Sequence, residues 1–435
     1  MRKLLAVIFL IFFSQLTVWA SDKVIVELAP NVNASAVAAA VGGQVLDSIP
    51  GTSHFLMNVP SAAALARNVQ LGVVRVELND AVTVHPTGGF GILKTSASKT
   101  AEWYAQQPAF RLVKADAALR LSKGRGIVIA DLNARIDYGH PALIGHLTSG
   151  YDFVAERGSG SASLNQSSTS FLDQSTASFL DQSSASFLDQ SSTAFLDQST
   201  SSFLDQSGAS FLDQSNASFL DTLNPAHGHG TFCAGLIAAV APDAMIMPLR
   251  VFDDQGNAEG FTIARAVRYA VQHGANVINM SFGMTSASSA VKQAIKFAIE
   301  HDVTVVASAG NNNSSAPQFP AAFNDVMAVA ATDLKDKKAA FSNFGNTIFV
   351  DAPGINIISA YPGGYYAIAS GTSFSAPLVS GEVALIRSAR RQNAEQAVAR
   401  GTVNIDSKNP GYAHELGFGR INMVRALQNQ EQNQD

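Results

Sequence analysis

A serine stands at position 373 in the stretch Gly371-Thr372-Ser373-Phe374-Ser375-Ala376-Pro377, between a tight Gly-Thr turn and a run of small residues. A mostly apolar stretch follows, from Leu378 through Ile386. This pattern predicts a buried helix with the serine at its mouth, beside free backbone N–H groups. A helix N-terminus favours negative charge, and the serine's own N–H can help to hold an oxyanion. The chemistry so suggested is nucleophilic attack by Ser373. Upstream, Gly228-His229-Gly230-Thr231-Phe232-Cys233-Ala234-Gly235 puts a histidine at a helix start, flanked by glycines that permit close backbone approach. Taken alone, His229 reads first as a surface histidine on a capped helix.

These residues need a scaffold. Apolar runs predict strands over Ile127–Leu132, Ala244–Val251, Val277–Met280 and Val303–Ser308. Helical spacing covers Thr262–His273 and Ser289–His301 between them. Alternating β and α units predict an α/β fold, a parallel sheet with helices on both faces.

Four blocks then resemble the subtilisin-like serine proteases, and they occur in that family's order. The Ser373 block resembles its G-T-S-x-[SA]-x-P motif, and the His229 block its H-G-T-x-x-A-G motif. Ala307-Ser308-Ala309-Gly310-Asn311 resembles its A-G-N segment, and Val277-Ile278-Asn279-Met280-Ser281-Phe282-Gly283 its substrate-pairing strand. The resemblance implies a subtilisin-like fold, Ser373 as nucleophile and His229 as general base. It implies Asn311 and the Ser373 N–H as oxyanion donors, and Ser281, Phe282 and Gly283 as the substrate-aligning stretch.

The third member of the expected triad departs from the family. Gly124-Arg125-Gly126-Ile127-Val128-Ile129-Ala130-Asp131-Leu132-Asn133 resembles the strand that ends in the catalytic Asp, and Ile136-Asp137, His140-Pro141 and Leu143 continue the match. The Asp position then falls on Asn133, and Arg135 stands where a glycine is usual. An ionised Asp fixes the histidine tautomer and stabilises the imidazolium; a neutral amide adds no charge. Asp131 is a candidate substitute. Side chains two apart in a strand share a face, about 6.6 Å apart along the chain. Three readings of Asp131 stand open: nearby negative charge, replacement of Asn133 at a bulged strand end, or a buried Asp bonded to neighbouring backbone.

The ends of the chain suggest export. Arg2 and Lys3 precede an apolar run from Leu4 to Phe13, and Val18-Trp19-Ala20 suits cleavage, so residues 1–20 read as a signal peptide and the protein as secreted to the extracellular space. That run is short for a membrane span. Net charge is −5 with no basic cluster, which argues against nucleic acid as partner. A single cysteine excludes an internal disulfide. Cys233, one helical turn after His229, reads as a small buried hydrophobe or as a residue lying under the histidine. The cysteine-containing branch of the family, which the block resembles, implies sensitivity to mercurials.

Residues 22–85 alternate short strands and helices and predict a small α+β N-terminal domain. They resemble the family's inhibitor-like propeptide, which implies that the chain's own N-terminal domain is a partner that occludes the site for a time. A polar linker is expected over 86–107, the peptidase domain over 108–428 and a polar tail over 429–435. The family's calcium positions are depleted: Ala142 follows His140-Pro141, and Leu236 to Pro242 runs on without a loop. No cofactor is expected; calcium stays an open alternative, since aligned Asp residues of the repeats over 164–221 could bind it, and is not assigned.

An eight-residue unit, roughly Gln-Ser-Ser-Ala-Ser-Phe-Leu-Asp, repeats seven times, so that residues 164–221 form an insertion in the peptidase domain. On a helix the phenylalanines, Phe171 to Phe219, would drift by about 80° per repeat. An even period on extended chain keeps them on one face. Stacked strands and a disordered low-complexity insert are equal readings.

The expected function is that of a monomeric serine endopeptidase acting on proteins or peptides, attenuated by Asn133. The alternatives are a pseudoprotease that binds peptides or serves as a scaffold, and an adhesion or assembly protein built on the repeats. The array carries its own period and interrupts a fold complete without it. Deletion of residues 166–221 is therefore expected to leave a cooperative thermal melt within a few degrees of the full chain. An unfolded deletion variant would place the repeats in the core.

Overall fold

The computed structural model describes residues 21–84, 87–93, 104–158, 226, 228–389 and 393–428. Residues 1–20, expected as a signal peptide, the octapeptide array and residues 429–435 lie outside the described residues. The chain divides into two compact units, residues 1–79 and 80–435.

The first unit holds strands β1 (Asp22–Leu28), β2 (Gln44–Ser48), β3 (His54–Val59) and β4 (Val73–Leu78). They form an antiparallel sheet in the order β2-β3-β1-β4. Two short helices, Ala34–Ala40 and Ala62–Ala66, start where the side chains of Asn33 and Ser61 accept from free backbone N–H groups. Val24, Val26, Met57 and Leu65 form the core of this unit.

The second unit begins with β5 (Ala81–Thr83) and β6 (Thr87–Leu93). Its main sheet contains β7 (Val128–Asn133), β8 (Tyr151–Asp152), β9 (Arg157–Gly158) and β10 (Met245–Arg250). After β11 (Asn257–Glu259) come β12 (Val277–Met280), β13 (Thr304–Ser308), β14 (Val326–Thr332) and β15 (Val350–Pro353). The sheet order is β15-β14-β13-β12-β7-β10-β8-β9, parallel throughout except for β9. β12 to β15 are buried at every residue, as strands covered on both faces must be. The helices His229–Val240 and Thr372–Ser388 pack on each other, as do Gly260–Gln272 and Ser289–Glu300. This is the α/β architecture expected from the alternating pattern. β7 lies centrally, with β10 on one side and β12 on the other. The chain changes direction there, which opens a crevice at the strand's carboxyl end.

Two expectations need correction. Residues 81–84, expected within the N-terminal domain, belong to the second unit, where β5 pairs antiparallel with β11. The boundary thus falls at Asn79–Asp80, not at residue 85. The stretch 86–107, expected as polar linker, contains β6, which pairs with β17 (Tyr365–Ser370) of the hairpin formed with β16 (Ile357–Tyr361). Period and propensity mark a strand but not its partner. The free edge of β17 supplies one, and Phe90 is buried there against Phe232, Tyr361 and Phe374. Among the described residues no helix is long and apolar enough to cross a membrane.

Glu382 lies midway along the Thr372–Ser388 helix, fully buried, with neither carboxyl oxygen hydrogen-bonded among the described residues. Burial pushes its pKa up to about 8. The folded state therefore holds a proton that the unfolded chain releases near pH 4.5, and stability falls as pH rises through that window to about 8. Glu382→Met removes the buried acid. Its melting temperature is expected to exceed that of the parent chain at pH 8 and to match it more closely at pH 5. An equal pH dependence in both chains would show that Glu382 is not the source.

Candidate active site

The site is built outward from the end of β7. Asp131 and Asn133 project from one face of this strand, and both are buried. Pairing with β10 and β12 runs through Asp131 without a bulge. Asn279, opposite Asp131 on β12, donates through Nδ2 to Asp131 Oδ1 at 2.8 Å and to Ser281 Oγ at 3.0 Å. Ser380, from the serine-bearing helix, donates to Asn279 Oδ1 at 2.8 Å. Asn133 Nδ2 donates to both oxygens of Asp131 at 3.3 Å. Asn133 Oδ1 accepts from Ala134 N–H at 2.9 Å. A carboxylate only accepts and a backbone N–H only donates, so one orientation of the amide satisfies both neighbours.

That orientation sets the histidine. His229 Nδ1 lies 2.7 Å from Asn133 Oδ1, which can only accept. Nδ1 therefore carries the proton and Nε2 keeps its lone pair. The ring is 0 % exposed, and burial holds its pKa down at about 3, so it is neutral. Nε2 is buried with no hydrogen-bond partner among the described residues.

Close backbone approach brings the histidine there. Gly228 precedes the helix at φ 85°, a left-handed conformation that suits glycine. A Cβ on Gly230 would stand 2.4 Å from the Arg135 carbonyl oxygen and 2.7 Å from that of Ala134. The first helical turn thus rests directly on the chain leaving β7. Arg135, which replaces the usual glycine, turns its side chain to Asp254 at 3.1 Å. Cys233 is buried with Sγ 3.8 Å from His229 Nδ1 and 3.6 Å from the Ser373 carbonyl oxygen. Burial pushes its thiol well up, so it lies beneath the histidine as a neutral group.

Ser373 is the second residue of the Thr372–Ser388 helix and is 5 % exposed. Ser375 anchors that helix by donating to the carbonyls of Ala352 and Pro353 at the end of β15. Asn311 Oδ1 accepts from Thr372 N–H at 2.9 Å and from its hydroxyl at 2.8 Å. The Asn311 amide nitrogen is thereby turned toward Gly371, the residue before that helix. Ser281 and Phe282 are buried, and Phe282 packs on Phe252. A Cβ on Gly283 or Gly310 would strike the Gln318 side chain, at 2.4 Å and 1.5 Å. Those two glycines thus flank a slot that Gln318 fills.

The structure brings Asn133, Asp131 and His229 into one hydrogen-bonded chain. Asp131 does not replace Asn133, since the strand has no bulge to carry it forward. The bonds that Asp131 accepts come from side chains, not from the backbone expected under the third reading. Sequence reasoning passed over Asn279, Thr372, Gln318 and Ser380. Asn279 left a signal, a lone amide in the apolar run Val277–Met280. Among the described residues no cluster of three His, Cys, Asp or Glu side chains could hold a metal.

A central parallel sheet that presents these groups at its carboxyl edge is the architecture of the subtilisin-like serine proteases. The chain belongs to the Subtilase family, whose model matches residues 124–419. It is 38% identical over 212 residues to thermitase from Thermoactinomyces vulgaris, covering 46% of this chain and 75% of that protein. Subtilisin DY from Bacillus licheniformis is 36% identical over 215 residues, covering 46% of this chain and 78% of its own. In fold, the chain resembles fervidolysin from Fervidobacterium pennivorans, described as a keratinolytic enzyme related to subtilisin. The TM-score is 0.67 at 22% identity, over 94% of this chain and 61% of that one.

Gly230→Ala is expected to force the His229 helix away from the Ala134–Arg135 backbone, at a cost of about 1–3 kcal/mol for overpacking. A lowered denaturant midpoint with an unchanged m-value would record it. An unaltered midpoint would mean that the two segments separate freely.

Proposed function

We propose that the chain is an exported serine endopeptidase that cleaves peptide bonds through an acyl-enzyme on Ser373. Ser373 Oγ attacks the carbonyl carbon while His229 Nε2 takes its proton. Asn311 Nδ2 and the Ser373 N–H hold the oxyanion. His229 then returns the proton to the leaving amine, and water releases the acyl group by the same route. The observation that carries this reading is the 2.7 Å bond from His229 Nδ1–H to Asn133 Oδ1, which leaves a neutral imidazole with its Nε2 lone pair available. Ser281 to Gly283 align the substrate backbone.

We further infer a latent form. β5 and β6 occupy the edges of β11 and β17, and β17 ends only three residues before Ser373. Phe90 packs 5.9 Å from the ring of Phe374, beside the nucleophile. β6 thus lies on a strand edge next to the start of the serine-bearing helix, and cutting the chain here is expected to expose the site. The leader at 1–20 directs export.

A second reading, a pseudoprotease that binds peptides, draws on the amide at Asn133. In serine proteases, replacing the triad Asp by Asn costs about 10⁴ in kcat. Fluorophosphonate treatment before and after limited proteolysis, with mass mapping of the adduct, separates the two. The expected label is on Ser373, stronger after cleavage and absent from Ser373→Ala. No label on the cleaved, folded protein would establish the peptide-binding reading instead.

A further inference from the structure

We propose that Asp131 is the positioning residue that fits Asn133 to its place: its carboxylate clamps the Asn133 amide nitrogen, so that Oδ1 is held toward His229 Nδ1–H. The proposal rests on the reading of His229 and Ser373 as the working pair.

An amide has two orientations of similar shape and opposite hydrogen-bonding sense. If the nitrogen of Asn133 faced the ring, Nδ1 would have to accept. The proton would move to Nε2, which could then take nothing from a serine. Asp131 removes that alternative. Both its oxygens receive the Asn133 nitrogen, so turning the amide over would press an oxygen against a buried carboxylate. Asn279 holds Asp131 in turn, and Ser380 and Ser281 hold Asn279. A negative charge behind the amide nitrogen also polarises the group and makes Oδ1 a better acceptor. The carboxylate that a triad places against the histidine is here one amide further back. Ala134 N–H favours the same orientation but carries no charge.

The surroundings of Asp131 make the clamp responsive to pH. It faces Asn133 on its own strand, Asn279 and Ser281 from the β12 segment, and Cys233 from the histidine helix. His229 lies beyond Asn133, and Pro248 pairs with Asp131 from β10. Of these groups Asp131, Cys233 and His229 titrate. Burial pushes Asp131 up to about 6 against the pull of its two amide bonds, His229 is held at about 3 and the Cys233 thiol lies high. Between pH 5 and 7 only Asp131 changes state, losing its proton and gaining its full strength as an acceptor as pH rises.

Two readouts test this on the full chain. In ¹⁵N-histidine-labelled protein, with the His229 signal assigned by its loss in His229→Gln, the Nδ1–H tautomer is expected at neutral pH. Asp131→Asn is expected to bring in the Nε2–H tautomer. The same tautomer in both proteins, or Nε2–H in the parent, overturns the proposal. Fluorophosphonate labelling of Ser373 is expected to slow by roughly 10²–10³ in Asp131→Asn, within the ~10⁴ known for loss of a triad carboxylate. The exchange Asp131→Asn with Asn133→Asp is expected to restore the rate, because it returns a carboxylate directly to His229. A wild-type rate in Asp131→Asn, or no rescue by the exchange, refutes the clamp. If Asp131→Asn does not fold, the parent alone decides: its labelling rate must climb with pH through about 6, and a flat profile refutes the clamp. If Ser373 takes no label in the parent, the endopeptidase reading fails, while the tautomer measurement still decides the role of Asp131.

Discussion

One buried hydrogen bond, from His229 Nδ1–H to Asn133 Oδ1, organises the second unit around the end of β7. It demands that a helix start touch a strand end, and Gly230 is the residue that lets the two backbones meet. It also demands that the amide face one way. The bonds that secure this run through Asp131 and Asn279 to Ser380, on the helix that carries the serine. The histidine and serine helices are therefore tied to one strand pair by polar contacts as well as by apolar packing.

Burial gives these contacts their consequence. In a medium of low polarisability each hydrogen bond is stronger and each unpaired group costs more. The same desolvation that keeps His229 neutral raises the affinity of Asp131 for its proton. A carboxylate in direct contact with the ring would stabilise an imidazolium strongly. An amide backed by a carboxylate does so at one remove. Phe90 of β6 joins the buried aromatic cluster of Phe232, Phe374 and Tyr361.

Much of this could be read from residue order. The strands at Val277–Met280 and Thr304–Ser308 follow from short, largely apolar runs, and the helix between them from helical spacing. Parallel strands buried on both faces leave such runs because water reaches neither side. The placement of β5 and β6 was not legible. β6, with glycines at 88, 89 and 91, reads as linker, and the partners of β5 and β6, β11 and β17, lie far along the sequence. Strand pairing depends on an edge left free by the rest of the fold, which no local pattern records.

The residues around Asn133 show the division most clearly. By itself the sequence determined that a serine, a histidine and an amide stand in the Subtilase order, and that Asp131 and Asn133 share a face of one strand. A period of two dictates that sharing wherever a strand forms. Only the tertiary structure decided which of the two meets His229 and what the other does. That depended on the unbulged register with β12, which sets Asn279 opposite Asp131, and on the close approach at Gly230. The direction of a side-chain amide is a property of its neighbours in space. Here those neighbours come from two strands and two helices that only the folded chain brings together.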